Sequence, residues 1–287
     1  FSDRLTLNTG IHIQYFSLSK STSSPEPRIG LRYQVKENMS LTFGYGLHRQ
    51  IQPLPTYYNH EVTATGTGNA TNLKMDFTRS NHLVLGYDLT FKKDFHLKAE
   101  TYFQYIDKVP VERFSSSFSM LNAGSDFATP NNNYLINKGV GMNYGLELTM
   151  EKFFSKGYYF LVTASLFQSR YKGSDNVWRN TAFNGNYVVN ALGGYEYKFG
   201  GKKNKTKRHA IALDAKLTVA GGRYSTPIDF VESKNQNKLV LFDNQAFSQQ
   251  YPVYFRPDVK LSYRISLRKM THEFSIDIQN FVNNTKT

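Results

Sequence analysis

The chain has 287 residues, 40% of them hydrophobic, with 20 Tyr, 22 Phe, one Trp and no Cys, and its mean hydropathy is −0.49. Without a thiol, disulfides, thiolate metal sites and cysteine nucleophiles are excluded. The longest apolar run, YYFLV at 158–162, is far short of the ~20 residues of a membrane-spanning helix. The net charge of +13 raises nucleic-acid binding as a candidate, but the placement of that charge argues against it.

Alternation of apolar and polar residues with period two, the mark of a strand, recurs from end to end. It predicts about eleven strands, at 5–16, 28–35, 40–50, 81–92, 95–106, 139–152, 158–171, 186–199, 209–221, 257–268 and 272–282. Residues 80–105, SNHLVLGYDLTFKKDFHLKAETYFQY, show the pattern best. Leu83, Leu85, Tyr87, Leu89 and Phe91 share one parity; His82, Gly86, Asp88 and Thr90 share the other, with Val84 the exception. After Lys92, Lys93 and Asp94 the alternation resumes, Phe95, Leu97, Ala99, Phe103 and Tyr105 against His96, Lys98, Glu100 and Gln104. Two such runs around a tight turn make a hairpin. Its apolar face is either the core of a soluble sandwich or the lipid-facing side of an outer-membrane barrel. No strong helical pattern and no domain linker interrupts the series, so residues 1–287 read as one all-β unit.

The connections separate the two readings. Short ones at 36–39, 93–94, 153–157, 200–208 and 269–271 alternate with long ones at 17–27, 51–80, 107–138, 172–185 and 222–256. Short periplasmic turns alternating with long outer loops are the pattern of an antiparallel up-and-down transmembrane barrel. A compact soluble domain has little use for structureless loops of about thirty residues. Aromatic residues gather at the short-turn end, Phe91, Phe95, Phe153, Phe154, Tyr158, Tyr195, Tyr197 and Phe199, as in an interfacial girdle.

Charge gathers at the same end. Arg4, Lys36, Lys92, Lys93, Lys152, Lys156, Lys202, Lys203, Lys205, Lys207, Arg208, Arg268 and Lys269 stand against Asp3, Glu37, Asp94 and Glu151, a net +9 of the total +13. A basic inner rim suits anionic head groups or simple solvation. Nucleic acid would need cations and aromatics interleaved on one accessible face; here the cations sit at turn tips and the aromatics on the apolar parity. On the polar parity, Lys98, Lys216, Lys260 and Arg264 accompany Glu100, Glu147, Glu196, Asp214, Asp258 and Asp277. That side must be wet, and it is expected to line a lumen.

No motif of catalysis emerges, and no cofactor or metal is expected. The seven His are scattered, and His96 and Glu100 in HLKAE lie ~13 Å apart on a strand. GVGMNYG at 139–145 is followed by no helix, so Gly141 and Gly145 are read as crowded inner-face positions. TGTGNAT at 65–71 is a flexible loop. The long loops are nearly neutral and rich in Asn, Gln, Ser, Thr and Tyr. Tyr57, Tyr58, Tyr134, Trp178, Tyr224 and Tyr251, with Arg49 and Gln50 at a strand end below them, are the candidate ligand-binding residues, the rings acting as stacking platforms for a sugar-like or peptide ligand.

Four stretches carry a family resemblance: EPRIGLRYQVKENMSLTFGYGLHRQIQPLPTYY at 26–58, RSNHLVLGYDLTF at 79–91, GVGMNYGLELTMEKFFSKGYYFLVTASLFQS at 139–169 and PDVKLSYRISLRKMTHEFSIDIQNFVNNT at 257–285. In strand and loop order the chain resembles the C-terminal half of a TonB-dependent outer-membrane receptor, in the branch with a carboxypeptidase-regulatory-like N-terminal extension. The resemblance implies a 22-stranded plugged barrel in the outer membrane of a Gram-negative bacterium, importing a nutrient ligand such as a glycan, a peptide or a metal chelate. The implied partners are outer-membrane lipid, the receptor's own plug domain and remaining strands, a TonB complex reached through an N-terminal segment, and a surface lipoprotein. On this expectation the chain is a barrel segment, with plug and remaining strands outside it. An adhesive or structural barrel and a passive porin are the rival readings.

Overall fold

The computed structural model describes residues 3–63, 66–125, 128–200 and 208–283. Eleven long strands run in chain order: β1 Leu5–His12, β2 Glu26–Lys36, β3 Met39–Gln50, β4 Thr78–Phe91, β5 Phe95–Val111, β6 Ile136–Ser155, β7 Tyr158–Lys172, β8 Tyr187–Phe199, β9 Arg208–Ala220, β10 Tyr254–Ser266 and β11 Thr271–Ile278. Each pairs antiparallel with its chain neighbours, giving one open, curved meander with β1 and β11 at its edges. A further short strand, Trp178–Asn180, pairs with the outer end of β7.

All eleven expected strands are present, and most of the differences lie at their outer ends; at the inner end β6 runs on to Ser155 and β10 stops at Ser266. β1 stops at His12 rather than 16, because Gln14 turns away to bond Ser23 and the Glu26 carboxylate. β4, β5 and β10 run past the expected limits, β5 through Pro110 to Val111. Above the membrane both faces of a strand are wet, so alternation fades while backbone pairing continues, as at Arg79↔Asp107 and Ile136↔Val111.

Register fixes which side chains share a face. Tyr158, Tyr195, Leu213, Leu261 and Ile276 stand side by side across β7 to β11 on the apolar parity. Leu213 is 53% exposed and Ile276 66%. Among the described residues nothing packs on this face, and an uncovered apolar surface spanning a whole sheet is lipid-facing. Leu217 and Ile265 share that parity; Ala212, Lys216, Lys260 and Arg264 take the other. A buried apolar cluster, Tyr57, Met75, Ile106, Val109, Met120 and Leu135, lies among the outer loops and the outer end of β5.

The short-turn end carries the girdle. Phe91 stacks on Phe95 at 5.2 Å, and Tyr197, Phe199, His209 and Tyr263 form a near-parallel series of rings. Phe154 departs from it. A bulge between Lys152 and Ser155 shifts the parity, and its ring packs against the lumen residues Tyr159 and Lys198. Lys152, counted above with the basic rim, is instead 2% exposed on the apolar parity. Arg208, Arg268 and Lys269 are exposed at that rim; Lys202, Lys203, Lys205 and Lys207 lie outside the described residues.

Two short helices were not expected. α1, Leu54–Tyr57, starts at a proline pair, and α2, Phe230–Gln236, is capped by Asp229, whose carboxylate accepts from the Glu232 amide at 2.9 Å. The Asp-Phe-Val-Glu sequence of that cap is a helix start signal. Among the described residues no helix is long and apolar enough to cross a membrane.

Candidate ligand-facing site: lumen wall and outer loops

The lumen wall is a lattice of ion pairs. Arg264 bridges Glu196 at 2.8 Å and Glu273 at 3.0 Å, Lys198 reaches Glu196 at 3.1 Å, and Lys98 reaches Glu100 at 2.6 Å. Tyr159 donates to Asp214 at 2.8 Å. The charges of β8 to β11 thus largely neutralise one another. Gly145 is crowded as expected: a Cβ there would lie 2.6 Å from the Leu166 carbonyl oxygen, so only glycine fits.

Above the wall the long loops are bound into one cap, mostly by side-chain amides bonding to backbone. Asn72, 1% exposed, donates to the carbonyls of Thr56 and Asn132 and accepts from the Leu135 amide. Asn137 joins the Asp76 and Lys108 carbonyls. Burial works to raise the Asp76 carboxyl. The bonds from Lys108 Nζ, at 2.6 Å, and from the Phe77 amide outweigh it and hold the group below the usual carboxylate range. Asn122 accepts from the Ala182 amide, and Asp243 accepts from both the amide and the hydroxyl of Ser117.

Between the 112–132 and 226–247 segments lies a cleft of about 540 Å³, lined among others by Phe118, Asn122, Thr129, Asn131, Asp243 and Phe247. Its size is that of a small-ligand pocket. Among the described residues of its lining, Asp243 is the one charged side chain. None of these six was among the sequence candidates; the Asn-rich segment 130–135 was the available signal.

The sequence candidates are dispersed across the cap. Tyr57 is fully buried, its ring 5.1 Å from Phe16 and its hydroxyl bonded to the Gln52 amide, so it offers no ring face to a ligand. Adjacent Tyr58 is 56% exposed. Helix α1 separates the two because one turn of helix points consecutive side chains apart. Tyr134 takes φ 55° and donates to Glu61 at 2.7 Å, and that bond pushes its phenol up. Asn59, next to Tyr58, donates to Pro130 and Asn132 carbonyls, so the Tyr58 and Tyr134 loops are fastened together. Tyr224 and Tyr251 belong to a second group: Tyr224 pairs with Gln250 and donates to Asn186, and Tyr251 is exposed. Trp178 stands apart, with Lys172 over its ring at 5.0 Å. Arg49 is committed to the Ser24 hydroxyl and, through its amide, to Glu26, while Gln50 is exposed beside Thr78.

The model of the family described as TonB dependent receptor-like, beta-barrel, matches residues 1–281. The chain belongs to the TonB-dependent receptor β-barrel family. Solved receptors share its fold. The ferric-catecholate import receptor Fiu of E. coli K12 is 12% identical with a TM-score of 0.61, over 99% of this chain and 39% of that one. The ferric preacinetobactin receptor BauA of Acinetobacter baumannii is 12% identical with a TM-score of 0.64, over 98% and 37%. The ferric yersiniabactin uptake receptor FyuA of Yersinia pestis is 12% identical with a TM-score of 0.62, over 99% and 39%. None of the curated proteins matches by sequence. The chain therefore spans well under half the length of these solved receptors. As a TonB-dependent receptor barrel it is an outer-membrane protein of a Gram-negative bacterium, in a family of receptors rather than enzymes.

Proposed function

We propose that the chain supplies one wall of a plugged barrel and the outer cap that takes an imported ligand from outside the cell. The observation that carries the reading is the cleft of about 540 Å³ set in a fastened loop cap above a polar lumen wall. Its lining offers amides, hydroxyls, the Asp243 carboxylate and the rings of Phe118 and Phe247, with no basic side chain among the described residues. That chemistry suits an uncharged, hydroxyl- or amide-rich ligand, a glycan or a peptide, better than an anionic metal chelate. Tyr58, Tyr134 and Tyr251 extend the surface as exposed rings, while Tyr224, Trp178, Arg49 and Gln50 hold its margins.

The rest of the receptor enters on the same reading. The unpaired edges at β1 and β11 are completed by further strands, since lipid cannot satisfy open backbone groups. The lumen takes a plug, and a TonB complex moves it. The tip of α2, with Phe230 77% and Val231 73% exposed, supports a surface lipoprotein as a further partner. The family puts an adhesive barrel or a passive porin behind this reading. The test is uptake by cells carrying the complete receptor. Asn131→Trp, which fills the cleft, should abolish uptake of a labelled glycan or peptide ligand; undiminished uptake would show that the cleft is not the recognition site.

A further inference from the structure

Two adjacent turns at the inner end of the barrel are built in an unusual way. Between Phe91 and Phe95, Lys92 and Lys93 both take left-handed backbone angles, φ 51° and 62°; between Ser155 and Tyr158, Lys156 and Gly157 do the same, at φ 52° and 86°. Asn and Gly adopt this region at least cost. Lysine at three of the four positions sacrifices turn stability, a pattern that accompanies function. The turns are fused: the Phe153 amide donates to the Asp94 carbonyl at 2.8 Å, and Ser155 Oγ donates to the Asp94 carboxylate. That carboxylate, the nearest acid in sequence to Lys92 and Lys93, is thereby occupied, with Lys152 Nζ 3.6 Å away. The side chains of Lys92, Lys93 and Lys156 are exposed and, among the described residues, make no hydrogen bond or ion pair. On the neighbouring turn Lys36 and Glu37 offset each other.

We infer that the fused β4–β5 and β6–β7 turns bind the phosphate head group of an anionic phospholipid of the inner leaflet. The required chemistry is an oxyanion, met by three ammonium groups on one rigid platform. Its surroundings select a lipid over a soluble phosphate. Phe91, Phe95 and Phe160 form a ring cluster at the base of the turns, with centroids 5.2 and 6.2 Å apart, which sets the lysines at head-group depth. Farther along the lipid face run Leu89, Leu97, Met150 and Val162, one cross-strand row on which acyl chains can lie. An anionic head group is preferred because a zwitterionic one carries its own ammonium, which three lysines repel.

The complete receptor is reconstituted in phosphatidylcholine nanodiscs with or without about 20 mol% phosphatidylglycerol, where each lysine near an anionic surface contributes about a fivefold factor in affinity. Lipid retained through detergent exchange is counted by mass spectrometry. Wild type should retain phosphatidylglycerol over phosphatidylcholine. The K92N/K93G/K156N variant, which keeps the turns with residues that favour them, should lose affinity on the order of a hundredfold in the additive limit. K92R/K93R/K156R should retain it. Unfolding of the Asn–Gly variant in phosphatidylcholine alone, at or above the wild-type temperature, shows that its turns are intact; should it fail to fold, Lys93→Gly alone is read in the same way, with about a fivefold loss expected. Equal retention by wild type and the charge-removed variant, or equal retention of the two lipids, overturns the inference. Displacement by free glycerol 3-phosphate would show a soluble-phosphate site and overturn it as well.

Discussion

Lys152 Nζ lies 3.6 Å from the Asp94 carboxylate, an ion pair that crosses from β6 to the β4–β5 turn on the lipid-facing side of the barrel. A cation on that face would be costly in lipid. Here Nζ folds back to the carbonyls of Phe153, Ser155 and Tyr158 and lies 3.8 Å from the centre of the Tyr158 ring. Lys152→Met removes the donor and leaves these oxygens without it, so it should destabilise the barrel by about 2–3 kcal/mol. Urea unfolding in liposomes measures this, and an unchanged midpoint would mean that the cage is dispensable.

The same knot sets a pH response. The Ser155 hydroxyl, and then the Lys152 charge, hold the Asp94 carboxyl below the usual aspartate range despite opposing desolvation. A carboxyl depressed in the folded state contributes stability above its unfolded pKa of about 3.9 and loses it as pH falls through the lower folded value. The contribution is therefore intact at neutral pH and is lost progressively as pH falls below about 4 toward the lower folded value. Asp94→Asn should flatten that acid limb in a melting series from neutral pH downward, while an identical limb would remove Asp94 from the response.

Neighbouring positions on β9 should respond oppositely to charge. Leu213 faces lipid between Tyr195 and Leu261, whereas Ala212 faces the lumen between Glu196 and Ser262. Leu213→Arg should cost about 2 kcal/mol in a membrane-folding assay, being between midplane and interface. Ala212→Arg should cost far less beside the Glu196 carboxylate. Equal tolerance at both would reverse the assignment of faces.

Tyr57 and Tyr58 should separate loop folding from ligand contact. Tyr57→Ala empties the centre of the loop cluster, a loss of about 3–5 kcal/mol for a buried ring, and should expose segment 51–77 to protease. Tyr58→Ala should leave protease resistance unchanged and weaken ligand binding by the complete receptor. If both variants behave alike, the division between support and surface fails.

Ligand affinity should change little between low salt and ~0.15 M salt, where screening lengths shrink to ~8 Å. Residues 222–256 balance Arg223, Lys234, Lys238 and Arg256 against Asp229, Glu232 and Asp243, and the charge in the cleft, Asp243, is held by Ser117. Calorimetric titration of the complete receptor at the two ionic strengths checks this, and a steep loss with salt would point to electrostatic capture elsewhere.

Strand number, strand order and the choice between lipid face and lumen face were legible in the residues, because period-two alternation is local and a pleated strand translates it directly into sides. Leu213 against Ala212 needed no fold to be assigned. The turn at Lys92–Asp94 and the crowded glycine at 145 were legible for the same reason: a tight turn and a close strand contact each restrict residue type at single positions. Phe154 leaves the girdle because the bulge at 152–155 breaks the period, and a bulge is a relation between two strands. Lys152 keeps the period, and only the fold shows its ammonium turned back onto the carbonyls of Phe153, Ser155 and Tyr158. Tyr57 and Tyr58 looked equivalent in the sequence. Only tertiary packing buries one among Phe16, Met75 and Leu135 and leaves the other in solvent, since the partners come from loops far apart in the chain. The cleft has the same origin: Ser117 and Asp243 are 126 residues apart, and nothing in either segment announces the other. Alternation decided the barrel wall; long-range side-chain bonds among polar loops, which have no period to read, decided the candidate site.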